Sequence, residues 1–250
     1  MLVGSETTDE TPHELEDIPS GVQNEQPDQK DQYQAAFTLQ IILQILSVSL
    51  FAFHKVSSDS IMPTFLATPP PTSATQETFI SEYFQSRGGL GYSSQKIGLV
   101  LLSQAIVALV AQGLLVPRFI DRAGPLRAYR VILAIYPLMY IFTPLLPNFN
   151  PQLSFILIVL DAWTRAILSS IGYICSAILT TNTAPSRDCL GRINGASASA
   201  SCLSRSLGPI LTGKLFAIGL GIGQVGIAFW TLSAIAFLGL VESFFLRDHV

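Results

Sequence analysis

Residues 97–117 read IGLVLLSQAIVALVAQGLLVP, a run without a single Asp, Glu, Lys or Arg. Twenty helical residues rise about 30 Å, the thickness of a bilayer's hydrocarbon core. The stretch therefore predicts a membrane-spanning helix, and the rest of the chain is read outward from it. Upstream, 35–53 (AAFTLQIILQILSVSLFAF) is uncharged until His54 and Lys55, and its helix is expected to run past Asp59 to Leu66 with a polar interruption at Pro63. Downstream, 131–147 carries Pro137, Pro144 and Pro147, and 153–180 contains Asp161 and Arg165. A further stretch, 193–218, reads GASASASCLSRS over 195–206 and holds Arg205 and Lys214. Small residues at helical spacing let membrane helices approach closely, so a span is expected there too. The last stretch, 225–246, contains one acid, Glu242. The expectation is an all-α integral membrane protein with six transmembrane helices.

Composition agrees. Of 250 residues, 12% are charged and 49% hydrophobic, whereas soluble domains carry about 25% charge. An ordinary soluble enzyme is excluded. The net charge of −3 conceals two regions. Residues 1–34 set nine acids against Lys30, a net −8, which leaves +5 for the remainder. The organisation expected is an acidic, disordered tail (1–34), a membrane domain (35–246) and a short C-terminus (247–250). The tail lacks the basic and apolar regions of a secretory signal. Cys175, Cys189 and Cys202 form no CxxC and stand near no histidine at ligand spacing, so neither a disulfide framework nor a metal site is expected.

Basic residues set orientation. Lys30, Arg118, Arg122, Arg127, Arg130, Arg187, Arg192 and Arg247 fall on one side of a six-span arrangement; Lys55, Arg87 and Lys96 fall on the other, with Lys214 near the membrane edge. Both termini are thus expected in the cytoplasm.

The loop Pro117-Arg118-Phe119-Ile120-Asp121-Arg122-Ala123-Gly124-Pro125-Leu126-Arg127 supports two readings. One is a positive-inside anchor. The other is a latch in which Asp121 caps a helix or pairs with an arginine while Gly124 turns the chain. At this motif the sequence resembles the major facilitator superfamily, whose cytoplasmic gate motif matches Asp121, Arg122, Gly124 and Arg127, with Pro125 and Leu126 standing where basic residues are preferred. Arg187-Asp188, Gly191-Arg192-Ile193-Asn194-Gly195, Arg205-Ser206-Leu207-Gly208-Pro209 and Gly213-Lys214-Leu215-Phe216 are similar to the penultimate-helix region of fungal drug/proton antiporter-type and zinc-induced-facilitator-like members. His54-Lys55, Asp59, Met62-Pro63 and Gly88-Gly89-Leu90-Gly91 resemble the seventh-helix region of fungal members.

The resemblance covers about 35–246 and implies the C-terminal half of a twelve-helix, 3+3 inverted-repeat fold. It implies proton-coupled export of a small molecule, in the plasma or vacuolar membrane, by two halves rocking about a midplane site. It also makes the acidic tail similar to the linker between halves and the chain a truncated product, with a second transporter half or a homodimer as partner. The alternative is a non-transporting membrane partner or a self-associating half.

Charges within spans are costly, about 2.5–3.5 kcal/mol each at a helix centre, and so mark sites. Asp161 and Arg165, four apart, can pair on one helix face. Arg205 has no acid within four positions and needs a partner from elsewhere. His54 and Asp59 can share a proton relay at the break in the first helix, and Gln104 with Gln112 can line a polar path. The substrate and coupling candidates are accordingly Asp161, Arg165, Arg205, His54, Asp59 and Gln104. An enzyme is not expected, because within the spans only Asp161 and the peripheral Asp59 are available for catalysis. Gly221-Ile222-Gly223-Gln224-Val225-Gly226 matches GxGxxG literally but follows no strand. No cofactor and no nucleic acid are expected.

Overall fold

The computed structural model describes residues 38–70 and 88–247. The expectations for the acidic tail, for the centre of the 67–95 loop with Arg87, and for the last three residues lie outside the described residues. Six long helices follow one another: α1 Leu39–Ala67, α2 Ser94–Ala123, α3 Pro125–Asn148, α4 Pro151–Asn182, α5 Arg187–Gly221 and α6 Gly226–Ser243. Among the described residues there is no strand.

All but α5 are long and apolar enough to cross a bilayer, giving five such helices among the described residues. The helix expected at 193–218 does form and is 35 residues long, yet its Gly/Ser/Ala composition does not by itself carry a crossing. The bundle buries these helices unequally. Only 17% of the apolar window of α2 lies inside, against 50% for α4 and for α6. Leu99, Leu102, Ile106, Leu109 and Leu114 of α2 are exposed, an apolar face that the described bundle leaves uncovered.

Several boundaries depart from expectation. α1 continues through Pro63 without the predicted interruption, because a membrane helix loses only one backbone donor at a proline. The 117–127 loop is mostly helical: α2 runs to Ala123, and the reversal into α3 is made by Gly124 alone, at φ +77. That conformation is cheap only for glycine. Asp121 therefore sits in the last turn of α2, where it caps no helix. A π-type turn at Ala111–Leu115 precedes Pro117, whose ring cannot donate back to the Gly113 carbonyl. α3 ends in a tighter 3-10 turn over Thr143–Asn148, which holds Pro144 and Pro147.

α1 is the hub, packing along α5 and against α6 and α4. Its approach to α5 requires Gly208, where a Cβ would meet the Phe53 carbonyl oxygen at 3.0 Å and crowd Ser57 Oγ. Close approach of this kind is the usual role of small residues between membrane helices. Cross-helix hydrogen bonds add to the packing. Trp163 Nε1 donates to Ser103 Oγ at 3.0 Å, joining α4 to α2, and Ser233 Oγ donates to the Pro137 carbonyl at 2.9 Å, joining α6 to α3.

Helix ends leave carbonyls unpaired, and two are closed by distant segments. Backbone amides of Tyr92, Gly91 and Gly89 donate to Leu66, Thr68 and Pro69 carbonyls at 2.9, 2.8 and 3.2 Å, covering the end of α1. At the other end of the bundle Arg130 donates to the Ser243 and Leu246 carbonyls at 3.1 and 2.9 Å, closing α6.

Gly208→Val is expected to lower the thermal unfolding midpoint of the detergent-solubilised chain, by an overpacking cost of about 1–3 kcal/mol. Gly213→Ala, where a Cβ meets nothing within 4 Å, is expected to leave it unchanged. Equal midpoints for both variants would show that α1 and α5 do not depend on this contact.

Candidate functional site

Four of the helices place a charged or polar ring side chain within two residues of their own midpoint: His54 in α1, Tyr136 in α3, Arg165 in α4 and Arg205 in α5. His54, Tyr136 and Arg165 meet inside the bundle, where water is least available and a polar group must find protein partners.

Arg165 is the centre. It is 3% exposed, and its Nε lies 2.9 Å from Asp161 Oδ2 on the same face of α4. Its two terminal nitrogens donate to Ser58 Oγ of α1 and Thr143 Oγ1 of α3. Thr143 Oγ1 also lies 3.3 Å from Asp161 Oδ1 and donates to the Met139 carbonyl at 2.6 Å. The guanidinium packs 4.9 Å from the Tyr140 ring centre, and Tyr136 Oη donates to the Arg165 carbonyl at 3.4 Å. One cation thus ties α1, α3 and α4 together through charge-assisted hydrogen bonds, which are roughly twice as strong as neutral ones.

His54 is wholly buried beside this group. Its Nδ1 is 2.9 Å from Tyr140 Oη, which donates to the His54 carbonyl at 3.2 Å. With its one hydrogen used there, the hydroxyl accepts from Nδ1–H, and Nε2 is left as a bare acceptor. Nε2 has no hydrogen-bond partner among the described residues. The expected relay between His54 and Asp59 is not formed: Asp59 pairs with Lys55 one turn back on α1. The Lys55 side chain is 7% exposed and that of Asp59 46%, so the pair reaches from the interior to the surface.

Arg205 lies outside this network. It is exposed and forms no ion pair with an acid among the described residues; its guanidinium rests 5.5 Å from the Tyr173 ring centre. An edge-to-face series connects it inward. Tyr173 meets Phe51 at 5.1 Å, Phe51 meets His54 at 5.4 Å, and His54 meets Tyr140 at 5.6 Å, beside Arg165. Aromatic pairs at such separations and angles are favourable in their own right. Gln104, by contrast, is half-buried on α2 and makes no hydrogen bond among the described residues, and Gln112 is exposed; neither joins the cluster.

The gate residues Asp121, Arg122 and Arg127 are all exposed at one end of the bundle. Neither Asp121 nor Arg122 forms an ion pair among the described residues, so the pairing expected of Asp121 is not made there.

Sequence reading found both charges of the α4 pair but not the residues that hold them. Phe51, Ser58, Tyr136, Tyr140, Thr143 and Tyr173 were not singled out. A signal for three tyrosines existed: Tyr129, Tyr136 and Tyr140 are spaced by seven and four, one face of a helix.

Arg165→Met is expected to destabilise the solubilised chain by about 3–5 kcal/mol, because it strands Asp161 without its counter-ion. Adding Asp161→Asn is expected to recover part of that loss. Unfolding midpoints of the single and double variants check this, and a double variant less stable than the single would refute it.

No family model matches the chain, and no solved structure matches it. One curated relative is 36% identical over 213 residues: the major facilitator superfamily multidrug transporter mfsB of Aspergillus fumigatus. The match covers 85% of this chain and 35% of the relative, so the chain spans about a third of that protein's length. It accompanies a helical bundle with five candidate membrane spans among the described residues, and the two together fit a multi-pass membrane protein similar to part of a major facilitator superfamily transporter.

Proposed function

We propose that the chain is one six-helix half of a secondary transporter, α5 included as a span. In this reading it has the 3+3 repeat and acts in proton-coupled export of a small molecule. Both termini face the cytoplasm, in the plasma or vacuolar membrane. The relative's printed name makes a drug-like substrate class the natural choice.

The observation that carries this reading is the buried group of His54, Asp161 and Arg165, with Arg205 and Asp59 exposed on the bundle surface. A purely structural bundle would gain little by burying three ionisable groups within its spans, whereas groups of this kind ordinarily line substrate and ion pathways. The roles divide by burial. Asp161 and Arg165 form the inner pair, and protonating Asp161 removes the charge that holds Arg165 on α4. Released, Arg165 keeps its hydroxyl partners on α1 and α3, so the proton shifts the balance between helices. Arg205 and Asp59 are exposed, Arg205 over the Tyr173 ring and Asp59 beside Lys55, and offer charge to a ligand. Asp121, Arg122, Gly124 and Arg127 form the cytoplasmic gate.

A chimera tests this reading. Residues 35–246 replace the matching segment of the Aspergillus relative, and efflux of a fluorescent cationic dye is followed in yeast cells. The expected result is efflux that a protonophore abolishes and that Asp161→Asn lowers at least about tenfold at unchanged protein abundance. Efflux that survives Asp161→Asn at equal abundance would reduce the ion pair to a structural role.

A specific feature favours a second reading, self-association of two copies. Gly191, Gly195 and Gly213 of α5 have nothing within 4 Å of a built Cβ, and open small-residue positions on a membrane helix suit a second helix. Under this reading oxidation in membranes links exposed Cys202 into a discrete dimer that Cys202→Ser abolishes. A chain that stays monomeric under oxidation excludes it.

A further inference from the structure

We infer that the acidic segment 1–34 docks on the arginine-rich end of the helix bundle and covers it. Three contacts define that end. Gln40 Nε2 at the start of α1 donates to the Phe245 carbonyl after α6 at 3.4 Å. Arg130 near the start of α3 holds the last carbonyls of α6. Ile41 of α1 packs with Cys189 and Ile193 at the start of α5. The start of α1, the α2–α3 turn, the α4–α5 turn and the end of α6 therefore share one face.

That face carries Arg118, Arg122, Arg127, Arg187 and Arg247, all exposed and none in an ion pair among the described residues. Asp121 is an exposed acid in their midst. Segment 1–34 holds nine acids and one lysine, and it joins the bundle at Leu39, on this same face. Thirty-four residues can extend at most roughly 110–120 Å, several times the width of a bundle built from helices about 10–12 Å across, so every one of these arginines is within reach. Covalent attachment also raises the effective concentration of the segment into the millimolar range.

Anionic lipid headgroups present the same charge to the same arginines. The tail is the better occupant, because a segment of net −8 tethered at the membrane surface repels anionic lipid while it attracts the arginines.

The test uses the full chain in nanodiscs of zwitterionic phosphatidylcholine. Donor and acceptor dyes sit on Ser20→Cys and Ser186→Cys, with the three native cysteines replaced by serine. Ser186 is exposed and caps nothing with its side chain. The expected result is strong energy transfer at about 0.02 M salt that falls at least twofold at about 1 M, where the screening length is about 3 Å. The direction is diagnostic, because screening lets an undocked, self-repelling acidic chain contract, which raises transfer. Neutralising the tail alone (Asp9→Asn, Glu10→Gln, Glu14→Gln, Glu16→Gln and Asp17→Asn) is expected to give the low value at both salts, without touching the bundle. Arg118→Gln with Arg187→Gln and Arg247→Gln is expected to do the same at an unchanged unfolding midpoint. Transfer that ignores tail neutralisation, or that rises with salt, overturns the docking. So does transfer that phosphatidylserine at low salt reduces to the value of the neutralised tail, since the arginines would then belong to headgroups.

Discussion

A guanidinium at the middle of a membrane helix must be met by protein groups on every side, and the fold is arranged around meeting that of Arg165. Asp161 supplies the counter-charge from the same helix, and Ser58 and Thr143 accept from the remaining nitrogens across two interfaces. Left alone, such a charge costs several kcal/mol in hydrocarbon. Held in this way it becomes a fastener, because moving α1 or α3 away from α4 strands a donor where no water can replace the partner.

The rings extend this constraint outward. His54, Tyr136, Tyr140, Phe51 and Tyr173 form a packed aromatic wall between Arg165, which is fully enclosed, and Arg205, which is exposed. The two arginines thus do different work. One is satisfied inside the chain; the other carries a charge that nothing among the described residues neutralises. Together with the Lys55–Asp59 pair, which reaches from interior to surface, this gives the bundle a polar surface that differs in kind from the exposed apolar face of α2.

Much of this was legible along the chain. The uncharged run at 97–117 and its neighbours located the helices, since a bilayer demands length and apolarity that composition displays directly. The i,i+4 spacing of Asp161 and Arg165 announced their pair. The limits were equally physical. Asp121 was read as a loop residue because Gly124 and Pro125 look like a turn, but one residue at positive φ sufficed and the helix kept the rest. His54 and Asp59 look adjacent in sequence, yet five positions along a helix turn them away from a common partner, and each found a nearer one in Tyr140 and Lys55.

By itself the sequence located the helices, the arginine-rich stretches and the resemblance to the major facilitator superfamily, because each follows from local composition or from similarity along the chain. Tertiary structure alone decided which helices meet inside the bundle, that Ser58 and Thr143 complete the coordination of Arg165, and that an aromatic series leads from there to Arg205. Those partners lie between about 20 and 110 positions from Arg165 in the chain. No local pattern records such a distance, because only packing of whole helices under the requirement that buried polar groups be paired selects it.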